Sequence, residues 1–432
     1  MRRARVFSAL IPLLAVTLSA QGLSQNDAYL IREMLRNAYE TVKAHYYDAA
    51  FHGLDWDARY REFGEKLKTA SSVDAGEVVV AQFLEGLKDS HTFFQPPARS
   101  FQVDYGYQLD LIGNDAFVTH VRPGTDAAAR LAAGDHVISV NGLPIDRETY
   151  HTVQYILTIL APRTSTELVV ETPAGERRTV MVTSDVRQKR VARSLTNGNE
   201  ISTVNQERDA AMQAFRQRVV EMGSVMIWKM PAFFAEDAEV DRLFAVARKH
   251  TGLVLDLRGN GGGRVDTLAR MIGNLFDHDV VIGTRTARAD QKKVGATTRG
   301  RNPFSGTLVV LVDSRSASAA ELLARIVQLE HRGTVVGDRS AGAVMEALAY
   351  PFQLGNDQLL YYVLSVTDAD LVMTDGRSLE GAGVTPDETM RPTAQDLAAG
   401  RDPVLSRAAH LAGLELDPAA AGKLFPFEWP VR

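Results

Sequence analysis

The segment LVVLVDSRSASAAE, residues 308 to 321, constrains the fold more than any other stretch. Leu308, Val309, Val310, Leu311 and Val312 form an unbroken apolar run rich in valine, which predicts a strand covered on both faces. Asp313 to Ser316 supply turn residues, and from Ala317 onward apolar residues recur at helical spacing. A buried strand therefore delivers Ser318 to the start of a helix. Backbone N–H groups at such an end lack intrahelical partners and carry partial positive charge, which favours negative charge developing on a bound oxygen. Serine is also a preferred N-cap, so the turn by itself leaves a capping role and a nucleophilic role open.

The surrounding pattern repeats the theme. Val225 to Trp228, Gly252 to Leu257 and Thr334 to Gly337 read as strands, while Ala238 to Arg248, Val265 to Phe276 and Ala319 to Leu329 read as helices. This alternation predicts an α/β domain with helices packed on a largely parallel sheet. After the strand GLVLDL comes Arg258-Gly259-Asn260-Gly261-Gly262-Gly263, opening a helix. Glycines there allow positive φ and a close backbone approach, so the loop can aim N–H groups at a ligand oxygen. A dinucleotide fingerprint or a P-loop needs a different spacing, which leaves a tight structural turn and an oxyanion loop as candidates.

Upstream, residues 26 to 87 are helical in period, with Tyr29, Ile31, Met34, Leu35, Ala38 and Tyr39 as an apolar face and further helices at 56 to 67 and 78 to 87. Lys88-Asp89-Ser90-His91-Thr92 is a turn leading to Phe93 and Phe94. Short alternating runs at 105 to 111, 116 to 120, 136 to 140, 167 to 171 and 178 to 182 predict strands, and polar residues 185 to 222 read as a linker with a helix. At the front, Arg2, Arg3 and Arg5 precede an apolar run from Val6 to Leu18 and a small-residue stretch near Ala20 to Gly22, the layout of a signal peptide. The run is too short for a comfortable membrane span, although a retained anchor is the competing reading. With 432 residues and 45% hydrophobic content, two or three domains fit, and a net charge of -5 gives no reason to expect nucleic acid. Zero cysteines exclude disulfides, a Cys nucleophile and thiolate metal sites, and an exported chain of this kind suits a periplasm or secretion.

Taken together, LVLDLRGNGGG, VLVDSRSASAAELLA and DGRSLEGAGVTPD resemble the C-terminal processing peptidase and tricorn core family of serine peptidases, over residues 30 to 410. Residues 103 to 184 resemble a PDZ domain, through Tyr105-Gly106-Tyr107, Gly134-Asp135 and Ile138-Ser139-Val140-Asn141-Gly142. The resemblance implies a multidomain α+β fold: an N-terminal helical domain, a PDZ-like β-rich domain and an α/β catalytic domain of the ClpP/crotonase-like spiral type. The expected boundaries are 1–22 for the signal peptide, 23–100 for the helical domain, 101–186 for the PDZ-like domain, 187–222 for the linker, 223–410 for the catalytic domain and 411–432 for a C-terminal tail.

By that resemblance the serine three places before Glu321, Ser318, is the nucleophile. One branch of the family activates it with a lysine about 25 residues later, where this chain has Ala343, and no lysine lies between Lys293 and Lys423. The tricorn-like branch uses a Ser-His-Ser-Glu tetrad, which maps to Ser318, His91, Ser90 and Glu380. An imidazole suits the role, because its pKa near neutrality lets it take and return a proton. His331 is a rival base at the far end of the Ser318 helix, and Asp375 and Asp387 are rival acids. The oxyanion hole maps to the N–H groups of Ala319 and Gly262, with Gly261 as alternative. Tyr105, Gly106 and Tyr107 open the PDZ-like segment, which in such domains receives an extended peptide. The expected activity is an exported serine peptidase acting on peptide or unfolded protein, with no metal or cofactor implied. A catalytically silent peptide-binding scaffold and crotonase-type acyl-CoA chemistry are the alternatives.

Overall fold

The structure is a computed structural model that describes residues 23–188, 215–300, 302–355 and 360–429. The signal segment and most of the linker lie outside the described residues. Three helices come first, each capped by a residue suited to the task. Ser24 caps α1 (Gln25–His45), Asp55 caps α2 (Trp56–Leu67) and Ser72 caps α3 (Val73–Glu85). The buried face of α1 is Leu30, Ile31, Met34, Leu35, Ala38 and Val42, whereas Tyr29, expected on that face, is exposed. This face packs on Phe63, Val80, Phe83 and Leu84, and the same core takes in Tyr362, Leu364 and Val366 from a strand near the other end of the chain. The helical segment therefore shares its core with the region expected to be a separate catalytic domain.

The short strand β1 (Phe93–Gln95) makes that junction. It pairs antiparallel with the long strand Leu360–Met373, Phe93 opposite Ser365, at the edge of a five-stranded sheet that also holds Val280–Ala287, Gln291–Ala296 and Met345–Leu354. Residues 107 to 183 form their own antiparallel sheet, ordered Tyr107–Ile112, Asp115–Val121, His136–Val140, Ser165–Glu171, Arg177–Thr183, within a residue or two of the expected strands.

The third layer is a six-stranded sheet in the order Arg218–Met222, Val225–Lys229, Gly252–Asp256, Thr307–Val312, Thr334–Gly337, Glu388–Thr389. All neighbours are parallel except the first pair. Helices Asp237–Ala247, Val265–Leu275 and Ala319–Leu329 cover one face with an extensive apolar core. On the other face, Val254, Val309 and Leu311 meet Val404, Leu405 and Ala408 of the helix Pro403–Leu411. Leu416 and Ala421 are buried in that same cluster, so the expected tail from residue 411 is a second cover for the sheet as far as about residue 425. No described helix is long and apolar enough to cross a membrane.

Candidate active site

Two turns, brought together from distant parts of the chain, build the site. The first follows the strand Thr307–Val312. Its three serines are not equivalent: Ser314 Oγ donates to Leu111 O at 2.7 Å and Ser316 Oγ to Leu257 O at 2.9 Å, so both hydroxyls are spent on structure. Ser318 caps the next helix with φ 54° and ψ −120°, a left-handed conformation that costs a serine about 1–3 kcal/mol and must be held by its surroundings. The hold is visible. Ser318 N–H donates to Ala343 O at 2.9 Å and to Glu321 Oε2 at 3.1 Å.

Glu321 is fully buried, and its carboxylate accepts from Ser340 Oγ at 2.5 Å, Gly342 N at 2.7 Å and Ala343 N at 2.9 Å besides Ser318 N. One side chain thus ties the Ser318 turn to the loop after Thr334–Gly337. Burial pushes this carboxyl above its ordinary range, and the four donors work in the opposite sense.

Gly262 lies against Ser318. A Cβ at this position, with φ +98°, would fall 2.6 Å from Ser318 Cβ and 3.1 Å from its Oγ, so only glycine allows the approach. Its N–H, however, donates to Asn260 Oδ1 at 2.8 Å. The expected oxyanion donor Gly262 is therefore already engaged in a local turn. The N–H groups of Gly261 and Gly263 make no hydrogen bond among the described residues. Ala319 is the first residue of the helix, where the N–H has no intrahelical partner.

The second turn precedes β1. Ser90 Oγ lies 2.7 Å from His91 Nδ1 and 2.9 Å from Glu380 Oε2, and Ser90 N–H donates to Glu380 Oε1 at 2.8 Å. The hydroxyl has one proton, and an ionised carboxylate only accepts, so Ser90 donates to Glu380 and accepts from Nδ1–H. That assignment puts the free lone pair of His91 on Nε2, which has no hydrogen-bond partner among the described residues. Burial lowers the imidazole pKa, and the nearby Asp89 charge offsets part of that. Burial raises the Glu380 carboxyl, countered by the N–H of Val344 and both donors of Ser90.

The two turns meet through a single step of backbone. Ala343 O accepts from Ser318, and the next residue, Val344, donates its N–H to Glu380 Oε2 at 2.9 Å.

Comparison with known proteins agrees with this architecture. A model of peptidase family S41 matches residues 221–390, and a model of the tricorn protease C1 domain matches residues 29–84. The S41 match lies on the parallel-sheet region and the tricorn C1 match on the N-terminal helices. Among S41-like relatives, the tail-specific protease of Haemophilus influenzae is 24% identical over 351 residues, covering 76% of this chain and 47% of that protein. The chain thus spans about half the length of that relative. The chloroplastic C-terminal processing peptidase of Tetradesmus obliquus is 25% identical over 402 residues, covering 88% and 80% of the two chains. The crystal structure of mature CPAF superposes with a TM-score of 0.65 at 15% identity, over 86% of this chain and 94% of that one, which shows a shared fold.

Ser318, Ala319 and Gly262 share one end of the parallel sheet, and Ser90, His91 and Glu380 form one hydrogen-bonded row joined to it through Val344. The rivals are elsewhere. His331 is exposed past the far end of the Ser318 helix, Asp375 is bound by Arg325 at 2.5 Å, and Asp387 by Gln328 Nε2 and Val335 N.

Tyr105, Gly106 and Tyr107 spend their polar groups inside the middle sheet region. Tyr105 OH donates to Leu157 O, Gly106 N–H to Asp104 Oδ1, and Tyr107 OH pairs with Thr166 Oγ1. Along the neighbouring edge strand, Leu109 O is taken by Tyr150 OH at 2.6 Å and Leu111 O by Ser314 Oγ at 2.7 Å. The Tyr105 and Tyr107 hydroxyls, the Gly106 N–H and the two carbonyls are therefore occupied in this arrangement. Sequence reasoning missed the buried knot at Glu321, read only as a motif marker. Its signal was a carboxylate three residues past the N-cap, in the first turn of a helix that is apolar on either side of it.

Proposed function

We propose that this chain is an exported S41 serine peptidase that cleaves peptide bonds through an acyl-enzyme on Ser318. The row Glu380–Ser90–His91 carries the proposal, because it fixes a tautomer with a bare Nε2 and is joined, through Ala343 and Val344, to the turn that holds Ser318 strained at a helix start. In this reading His91 Nε2 takes the Ser318 proton as Oγ attacks the carbonyl carbon. The positive charge that forms on the imidazole is supported by Ser90, whose hydroxyl passes the Glu380 charge toward Nδ1. The tetrahedral oxyanion rests on Ala319 N–H and a second N–H from the glycine loop, Gly261 or Gly263, since that of Gly262 is held by Asn260. His91 then protonates the leaving amine, and water repeats the sequence on the ester.

The substrates are peptides or unfolded proteins. The relatives' names, tail-specific protease and C-terminal processing peptidase, favour action directed to carboxyl ends. Residues 103 to 184 are read as a PDZ-like domain that docks on the Ser318 turn through Ser314. Export rests on the layout of residues 2 to 25.

The test is hydrolysis of a denatured protein, with fragment ends sequenced. Ser318→Ala and His91→Ala should each lower kcat/KM by at least about 1,000-fold. An active-site phosphonate should label Ser318 in the wild type. Full hydrolysis by His91→Ala would overturn the assignment of the base.

A further inference from the structure

The relay through Ser90 has an electrostatic consequence. In a Ser-His-Asp triad the carboxylate touches the imidazole N–H, whereas here a neutral hydroxyl stands between them. Glu380 therefore sits one side chain farther from the charge it must stabilise. A second carboxylate lies on the other flank. Asp89 Oδ1 accepts from His91 N–H at 2.9 Å, Thr92 N–H at 2.7 Å and Thr367 Oγ1 at 2.7 Å, which ties the turn to the strand Leu360–Met373. Its Oδ2 is buried without a hydrogen-bond partner, and no cation pairs with Asp89 among the described residues. The Tyr46 hydroxyl lies close enough to Asp89 for the carboxylate to hold the phenol proton by charge and by a weak hydrogen bond, although neither Tyr46 OH nor Asp89 Oδ2 has a partner of good geometry. A buried carboxylate oxygen left unpaired costs stability, and the three hydrogen bonds of its twin oxygen can be made by a neutral amide.

We propose, on the basis of the peptidase reading above, that Asp89 is a positioning residue: Oδ1 fixes the backbone of the His91 turn, and the charge on the unpaired carboxylate stabilises the imidazolium formed during catalysis. The charge acts on the His91 ring through space, with no bond to either ring nitrogen. It raises the imidazole proton affinity that burial lowers. The other ionisable groups around Asp89 and His91 are Tyr46, Tyr47 and Asp48 after α1, Asp370 on the long strand and Glu380, and Glu85 and His151 line the same cavity as Asp89 and Ser90. Both phenols are held neutral by burial and by these carboxylates, so they add no second negative charge beside Asp89. The Arg288 guanidinium acts on Asp48.

The test separates charge from shape. Asp89→Asn keeps an acceptor at the Oδ1 position, where all three bonds are made, and removes the charge. The His91 ring is titrated by NMR in a Ser318→Ala background, its signal assigned among the 10 histidines by its loss in His91→Gln. The acid limb of kcat/KM is measured in the active enzyme. With Asp89→Asn, the ring titration and the acid limb should both move to lower pH, by at least about 0.5 unit, and kcat should fall about tenfold with KM within about twofold. Asp89→Glu retains the charge while disturbing the three bonds, so it should lower kcat with the ring titration near that of the wild type.

A fall in kcat for Asp89→Asn with both titrations unmoved would reduce Asp89 to scaffolding and overturn the proposal. If Asp89→Asn does not fold, Asp89→Glu decides: a ring titration displaced as far as about 0.5 unit downward despite the retained charge overturns it. A wild type that hydrolyses no peptide would end the peptidase reading, and the ring titration would still report on Asp89.

Discussion

The turn that carries Ser318 and the turn that carries His91 reach their geometry by opposite routes. The Ser318 turn is held from within its own sheet, with Glu321 clasping backbone N–H groups 21 and 22 residues onward and a hydroxyl 19 residues onward, all buried or part-buried. The His91 turn is held by partners 275 to 290 residues away, at Thr367 and Glu380, and Ser90 is exposed. One half of the site is a product of local chain folding. The other half is in place only when the helical segment docks, through β1, on the strand Leu360–Met373. Damage to the first half should therefore appear as lost stability, and damage to the second as lost activity in a folded protein.

The largest effect is expected at Glu321. Glu321→Ala strips an acceptor from three N–H groups and one hydroxyl in a dry environment, and it leaves the left-handed backbone of Ser318 held by Ala343 O alone. Leaving several buried donors unsatisfied should cost about 3–5 kcal/mol in a urea unfolding experiment, together with nearly all hydrolysis. A loss below about 1 kcal/mol would break the contrast between the halves.

Glu380 should give the intermediate effect and the reverse signature. Glu380→Gln removes the charge and sets an amide N–H₂ either against Ser90 N–H at the Oε1 position or against Ser90 Oγ and Val344 N–H together at the Oε2 position, so the Ser90 turn loses at least one acceptor and the relay loses its carboxylate. Hydrolysis should fall about 100-fold, with the unfolding midpoint close to the wild-type value. Equal losses of stability in Glu380→Gln and Glu321→Ala would show that the two turns fold as one unit.

The same contrast explains what could be read in the sequence. The burial of the central strand is written in consecutive residues: Leu308 to Val312 are all buried, and the strand, turn and helix lie where the pattern put them. The middle sheet was legible for a related reason, since its strands alternate between covered and open faces. The outer sheet was missed. Leu360–Met373 carries Ser365, Asp368 and Asp370 among its apolar residues, and Gln291–Ala296 is mostly exposed, so neither shows the run of apolar residues that marks a core strand. The Ser90–Glu380 bond could be placed only by family resemblance, because nothing local to either residue encodes a partner 290 positions away. The engagement of Gly262 by Asn260 was hidden because glycine spacing reports backbone freedom and not which N–H remains free.

The smallest effect belongs to a third long-range contact, one that holds no buried carboxylate. Beyond residue 425 the chain lies over the middle sheet: Phe427 stacks on His120 with centroids 4.0 Å apart, and Trp429 covers the Arg122 guanidinium at 4.7 Å. Arg218 Nη1 holds Pro426 O at 3.0 Å from the parallel-sheet side, so this segment bridges two layers. Contacts of this kind at a partly open surface contribute about 0.5–1 kcal/mol each. Trp429→Ala should lower the unfolding free energy by that amount and leave kcat/KM within about twofold. Trp56 and Trp228 are buried, so in the wild type Trp429 is the tryptophan among the three that an added quencher should reach first. A loss of activity beyond tenfold in Trp429→Ala would mean that distance along the chain is not what separates the site's rigid half from its docked half, since this remote contact would then control both.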